Sequence, residues 1–342
     1  MHAGRKIRVL VVDDSALFRE VLARGISTDN ELEVVDTASD PYDARDKILR
    51  HKPDVMTCDI HMPRMDGIEF IRQLIPQYPL PVIVISTISG AVFDALNAGA
   101  VDFITKPSSY SPDRVQNFIY DLTYKIKAAS RAKIIKNGSA EITAVTNNTE
   151  AEADAGKIIA IGASTGGTEA ISQIINALPK SMPGIVIVQH IPPVFSGIFA
   201  QRINSTASLE VKEAENGDYA EPGKVLIAPG DRHMRVRKVG DRYKVECFEG
   251  EKVNGHRPSV DVLFESVARA AGPNAVGVIL TGMGHDGAKG LLEMRRRGAR
   301  TIGQDEASSV VYGMPKAAYD IGAVEKQVPL SQIVRTLVTI HR

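Results

Sequence analysis

The feature that most narrows what this chain can fold into is a rhythm: short β-branched runs alternate with amphipathic stretches of helical spacing, and the whole alternation occurs twice. Strand, helix and strand in that order form the unit of a parallel sheet covered by helices on both faces. In the first train, strands are predicted at Ile7–Val12, Glu33–Thr37, Val55–Cys58, Val82–Ile85 and Asp102–Ile104, with helices beginning near Ser15, Pro41, Asp66 and Gly90. A last helix is predicted from Asp113 to Ala128, because Val115, Phe118, Ile119, Leu122 and Ile126 fall on one face. The second train starts at Lys157, with strands at Ile158–Ile161, Ile185–Gln189, Lys224–Ala228, Ala275–Leu280 and Arg300–Gly303.

The first train implies an α/β domain with a flavodoxin-like, five-stranded parallel sheet, whose ligands gather at the carboxyl ends of the strands. The second implies another doubly wound α/β domain. Within it, Met234–Lys238 and Tyr243–Phe248 flank Val239-Gly240-Asp241-Arg242, which reads as a β-hairpin inserted on the α/β core. Between the trains the periodicity fades into polar and small residues, Asn137-Gly138-Ser139 and Asn147-Asn148-Thr149-Glu150 among them, which cannot bury enough apolar area to fold alone. The expected organisation is a domain at 1–128, a flexible linker at 129–156 and a domain at 157–342. A length of 342 residues, beyond the usual span of one hydrophobic core, agrees with that division.

Composition excludes several classes. Forty-one basic residues balance forty-one acidic ones, so the broad positive field that binding to nucleic acid or anionic lipid needs is missing. Cys58 and Cys247 are the only cysteines and lack C-x-x-C spacing, which removes a disulfide framework and a zinc ribbon and suits a reducing compartment. No run approaches the roughly 20 apolar residues of a membrane span. Two aspartates end the Ile7–Val12 stretch before a signal-peptide core could form. A soluble cytoplasmic protein that does not insert into the membrane is expected.

In the first domain, Asp13 and Asp14 follow the first strand, Asp59 the third, Ser86 the fourth and Lys106 the fifth, just before Pro107. Carboxylates converging at strand ends repel one another unless a hard cation neutralises them, and an oxygen-only pocket of this kind suits Mg²⁺. Asp59 would then attack a phosphoryl group, Lys106 pair with the transferred charge and the Ser86 hydroxyl donate to a phosphoryl oxygen. Taken singly, an Asp pair after a strand is also a helix cap and Lys-Pro a loop dipeptide; the joint placement on four strand ends carries the reading. His61 reads as an exposed loop histidine and Cys58 as a structural thiol on a buried strand.

Val11-Val12-Asp13-Asp14-Ser15, Cys58-Asp59-Ile60-His61-Met62-Pro63-Arg64-Met65-Asp66-Gly67 and Thr105-Lys106-Pro107 resemble the receiver domain of two-component response regulators. The resemblance implies that Asp59 accepts phosphate from a histidine kinase, that Asp13 and Asp14 are metal-binding acids, one ligating directly and the other through water, and that Phe103 stands at the aromatic switch position.

In the second domain the strand Ile158–Ile161 runs into Gly162-Ala163-Ser164-Thr165-Gly166-Gly167 and then a helix carrying Ile171, Ile174, Ile175 and Leu178. Ser164 therefore sits on a strand-to-helix turn, where glycines permit strained backbone angles and a helix N-terminus offers N–H groups to a developing oxyanion. The same glycine-rich turn could instead cradle a nucleotide phosphate, although it lacks the Lys-Ser/Thr ending of a P-loop. A serine needs a base. His190 follows Ile185–Gln189 directly and precedes Ile191-Pro192-Pro193; His233, His256 and His285 lie in loops with weaker placement. A carboxylate to orient the imidazole is found in Thr281-Gly282-Met283-Gly284-His285-Asp286-Gly287, where Asp286 is either that partner or a helix N-cap. Backbone N–H groups at Met283 and near Thr165 are candidates for the oxyanion site.

The order Ser, His, Asp differs from that of ordinary α/β-hydrolases. Ile161-Gly162-Ala163-Ser164-Thr165-Gly166-Gly167, Gln189-His190, Arg257-Pro258-Ser259-Val260-Asp261 and the Thr281–Gly287 segment instead resemble the catalytic domain of the chemotaxis response regulator protein-glutamate methylesterases. With the receiver in front, the resemblance covers the chain except the linker. It implies Ser164 as nucleophile, His190 as general base and Asp286 as its orienting partner, acting on glutamyl γ-methyl esters, and on selected glutamines, of chemoreceptor cytoplasmic domains. It further implies a chemotaxis histidine kinase as phosphodonor, inhibition by the unphosphorylated receiver, and a monomer. Arg257 and Ser259 are candidates for the substrate cleft, with a surface ion pair as the alternative role of Arg257. A transcriptional or protein-binding regulator is the competing class; it is disfavoured because no basic helix-turn-helix segment follows the linker.

Overall fold

The computed structural model describes residues 5–87, 89–109, 111–134 and 155–341. It divides into two compact units, Met1–Lys136 and Asn137–Arg342. Most of the linker expected at 129–156 lies outside the described residues.

In the first unit five parallel strands, β1 (Ile7–Val12), β2 (Leu32–Ala38), β3 (Val55–Asp59), β4 (Val82–Ser86) and β5 (Asp102–Thr105), are ordered β2-β1-β3-β4-β5. Five helices cover them: α1 (Ala16–Ile26), α2 (Pro41–His51), α3 (Gly67–Gln77), α4 (Ser89–Asn97) and α5 (Pro112–Ala129). Local chemistry sets the helix starts. Ser15, Asp40 and Asp66 cap α1, α2 and α3 by accepting backbone N–H bonds, and Pro41 and Pro112 occupy first-turn positions where a missing N–H costs nothing. β3 and β4 are buried at every residue, as strands covered on both faces must be.

The second unit contains a seven-stranded sheet ordered β14-β13-β12-β6-β7-β9-β8 and a separate antiparallel pair, β10-β11. Its strands are β6 (Ile158–Ala163), β7 (Gly184–Gln189), β8 (Glu210–Glu213), β9 (Lys224–Ile227), β10 (His233–Val239), β11 (Arg242–Phe248), β12 (Ala275–Ile279), β13 (Arg300–Gln304) and β14 (Lys326–Val328). Helices α6 (Gly167–Ala177), α7 (Phe195–Asn204), α8 (Val260–Ala271), α9 (Ala288–Arg296), α10 (Met314–Asp320) and α11 (Leu330–His341) complete it. The hairpin pairs Val239 with Arg242 and has positive φ at Gly240 only, the II′ signature of a two-residue loop. Two strands went unpredicted: β8 and β14 are sheet-edge strands of four and three residues, with mixed or mostly exposed positions that give no period-two signal.

After β6 the chain moves outward to β7, β8 and β9, then returns past the hairpin to build β12, β13 and β14 on the other flank. The order thus reverses between β6 and β12, and a crevice opens at the carboxyl ends of strands at such a point.

Candidate functional site

The receiver-like sheet gathers its polar residues at one edge. Asp13 and Asp59 are buried, as is Ser86, whereas Asp14 is exposed. Lys106 Nζ donates to Asp13 Oδ2 at 2.8 Å and to Asp59 Oδ2 at 2.6 Å. Burial pushes the Asp13 carboxyl above its ordinary value, against the pull of the Lys106 hydrogen bond. Burial alone would lower the Lys106 ammonium, but its bonds to the two aspartates outweigh that and hold it above the usual lysine value. Carboxylate oxygens of Asp13, Asp14 and Asp59 lie within 4.8 Å of one another, a hard-oxygen set that fits Mg²⁺.

Glycine chemistry shapes this pocket. A Cβ on Gly67 would lie 2.1 Å from the Asp59 carbonyl oxygen, so only glycine lets α3 start against the end of β3. Phe103 is buried, its ring 6.2 Å from that of Phe93. His61 is exposed and Cys58 fully buried, where burial raises its thiol far above the usual range.

In the second unit the parallel register sets the site. β6 and β7 pair Ala163 with Gln189, so Ser164 and His190 are the next residues off adjacent strand ends. The backbone N–H of His190 donates to Ala163 O at 3.1 Å, and that of Ser164 to Thr281 O at 3.0 Å, beyond β12. Gln189 Nε2 donates to Ser164 O at 2.8 Å and pins the serine turn. Gly282 permits the approach from the β12 side, since a Cβ there would lie 2.7 Å from Ser164 Cβ. The unusual backbone angle of the turn falls on the flanking Gly166, at φ 77°, as expected of its glycines; Ser164 is outside the left-handed region.

His190 Nε2 lies 2.9 Å from Asp286 Oδ2, and the other ring nitrogen, Nδ1, is buried with no hydrogen-bond partner among the described residues. Asp286 does not cap α9, whose N-cap is Gly287. Its carboxylate sits at the N-terminus of α8, accepting from Val260 N at 2.7 Å and Asp261 N at 3.2 Å, as an anion does there. Ser259 Oγ and Asn254 Nδ2 add bonds of 2.8 and 2.7 Å to Oδ1. Burial would raise the Asp286 carboxyl, but the hydrogen bond and charge of His190, with Asn254 and the Val260 N–H, depress it well below the usual carboxylate range. Val260 wedges this corner: Cβ atoms on Gly162 and Gly287 would lie 2.2 and 2.5 Å from its Cγ1.

The remaining predicted residues divide. Thr165 is buried and its carbonyl accepts from Thr281 Oγ1 at 2.9 Å; Met283 is half-buried one residue after Gly282. Ser259, read as a cleft residue, is fully buried and serves Asp286. Arg257 forms an ion pair, donating through Nε and Nη2 to Asp231 Oδ1 at 2.8 and 2.6 Å, and donates through Nη1 to Gly250 O at 2.5 Å. Asn254 is not singled out by the sequence, and His256 reads there as a weakly placed loop histidine. Asn254 holds Asp286, and the half-buried His256 ring stacks on His190 with centroids 3.7 Å apart and planes 14° from parallel. The Asn254-Gly255 pair was the available signal, being the commonest hairpin-turn dipeptide.

An acidic pocket on a 2-1-3-4-5 parallel sheet, joined in one chain to a second α/β unit with a serine, a histidine and an aspartate gathered at its switch point, defines a response regulator with an enzyme-like output domain. Comparison with known proteins makes the assignment specific. The CheB methylesterase family profile matches residues 159–337 and that of the response regulator receiver domain residues 9–119. The chain is 58% identical over 333 residues to a protein-glutamate methylesterase/protein-glutamine glutaminase of Syntrophomonas wolfei, covering 97% of each. It is 47% identical to the protein of that name from Salmonella choleraesuis, covering 96% of this chain and 95% of the relative. The crystal structure of the Thermotoga maritima CheB methylesterase catalytic domain superposes with a TM-score of 0.53 at 39% identity, covering 54% of this chain and 98% of that one. The chain belongs to the CheB methylesterase family, with a receiver domain at its amino end.

Proposed function

We propose that this protein is a phosphorylation-activated protein-glutamate methylesterase of chemotaxis that also deamidates selected glutamines, acting on chemoreceptor cytoplasmic domains. The observation that carries the reading is the 2.9 Å bond between His190 Nε2 and Asp286 at a strand end adjacent to that of Ser164. With Nε2–H donated to the carboxylate, the lone pair of Nδ1 is the one available to take the Ser164 hydroxyl proton. Ser164 Oγ then attacks the ester or amide carbonyl. N–H groups at Thr165 and Met283 receive the oxyanion, His190 returns the proton to departing methanol or ammonia, and water resolves the acyl-enzyme. Asp286 keeps the tautomer and stabilises the charged ring.

On the receiver, Asp13, Asp14 and Asp59 would hold Mg²⁺, which when bound offsets the charge of an incoming phosphoryl group. Asp59 takes that group from a chemotaxis histidine kinase, Lys106 and Ser86 meet its oxygens, and Phe103 responds. The domain boundaries we assign are 1–128 and 157–342, with a linker between whose composition allows the unphosphorylated receiver to restrain the esterase and release it on phosphorylation. No helix among the described residues is long and apolar enough to cross a membrane, which accords with a cytoplasmic enzyme meeting the receptor's cytoplasmic part. Methanol release from methylated receptor membranes tests the reading: Ser164→Ala should abolish it, and Asp59→Asn should bring the ratio of rates with and without phosphodonor to one. Release by the alanine variant at the native rate would remove the serine mechanism.

A further inference from the structure

A single hydrogen bond does not fix an imidazole. With Nε2 tied to Asp286, the His190 ring can still turn about that bond, since among the described residues no hydrogen bond holds Nδ1. The structure supplies a second restraint from outside the sheet. Val253, Asn254, Gly255 and His256 form a tight turn, closed by Val253 N to His256 O at 3.0 Å and His256 N to Val253 O at 2.9 Å. Asn254 and Gly255 have φ of 52° and 82°, the left-handed pair of a type I′ turn.

The two residues carrying polar side chains in this turn address the two members of the acid–base pair. Asn254 Nδ2 divides its N–H groups between Asp286 Oδ1 at 2.7 Å and Asp261 Oδ2 at 2.8 Å. It thereby bridges two buried carboxylates that would otherwise repel, one pushed up by burial and the other held down. His256 lays its ring parallel to His190 at 3.7 Å between centroids. A flat face at that separation blocks rotation of the lower ring and covers it from solvent, which fits the 8% exposure of the His190 side chain.

We infer that the Val253–His256 turn is a positioning element for the proton-transfer pair, in which His256 sets the plane of the His190 imidazole and Asn254 anchors its carboxylate partner. Both act through the pair, Asn254 through Asp286 and His256 through His190. The inference rests on the reading of His190 as the base of Ser164, and what His256 contributes is a planar surface rather than a proton.

The experiment uses the full chain, methylated receptor membranes as substrate, and three replacements: His256→Ala, His256→Leu, which fills space without a flat face, and His256→Phe, which keeps one. Alanine and leucine should each lower kcat roughly 10- to 100-fold with KM changed less than about twofold, as misplacing a catalytic group does. Phenylalanine should recover most of kcat. In the histidine ring NMR spectrum, the carbon-bound proton signals of His190 should move when the stacked ring is lost and move back towards their native positions with phenylalanine. The inference is overturned if alanine and leucine keep kcat within about twofold of native, or if phenylalanine is as slow as leucine. Ser164→Ala separates the two layers: its inactivity alongside unimpaired His256 variants refutes positioning alone, whereas its activity removes the base reading and the inference with it.

Discussion

His190 is held to Asp286 through Nε2, leaving Nδ1 as the ring nitrogen without a hydrogen-bond partner among the described residues. The carboxylate that makes this bond also collects four donors from the 254–261 segment, so a loop and a helix N-terminus preorganise the histidine before substrate arrives. Preorganised polar groups cost no reorganisation during reaction, which is where their catalytic value lies.

Asp286→Asn keeps the shape and removes the charge, but presents an NH₂ group to a ring of donors. We expect kcat to fall about 10²- to 10⁴-fold, as loss of the orienting carboxylate does in Ser-His-Asp enzymes. The depressed carboxyl also contributes stability that is complete above about pH 4 and is lost as pH falls below the unfolded-state value. Denaturant titrations should therefore show the largest stability gap between native and variant at neutral pH, narrowing in acid.

Gly282→Ala would set a methyl 2.4 Å from the Met314 sulfur and 2.7 Å from Ser164 Cβ. The methionine can swing aside, but the serine is fixed by backbone bonds to Thr281 and Gln189. The expected outcome is a folded protein with methanol release reduced at least about tenfold through misplacement of the nucleophile. Circular dichroism and the release assay check the two halves of that statement.

Lys106→Gln removes the cation that joins Asp13 to Asp59. Two buried carboxylates then face each other unpaired, so the receiver should melt lower in chelator and be rescued by Mg²⁺ to a greater extent than native. Melting curves at pH 8 with and without the metal test this, because the native lysine, held above its ordinary value, is fully charged there.

Gly67→Ala must displace either α3 or the end of β3, because the new Cβ meets backbone at 2.1 Å. A cost of about 1–3 kcal/mol to receiver stability is expected. Phosphoryl uptake from a small phosphodonor should slow as Asp59 shifts, which phosphate-affinity electrophoresis would record.

Much of this architecture was legible in the linear chain. The central strands announce themselves because burial on both faces demands continuous β-branched runs, and Asp13, Asp59, Lys106, Ser164 and His190 fall at strand ends that any parallel sheet must bring to one edge. What the sequence left open was decided by non-local packing. Whether Asp286 caps its own helix or serves His190 depends on where α8 begins, and the structure places Val260 between Gly162 and Gly287 so that the helix N-terminus points at the carboxylate. The commitment of Arg257 to Asp231, the service of Ser259 to Asp286 and the stacking of His256 on His190 likewise join residues whose spacing has no period. Periodicity reports the environment of a segment relative to its own neighbours; contacts made across loops carry no such signature, and only the folded chain resolves them.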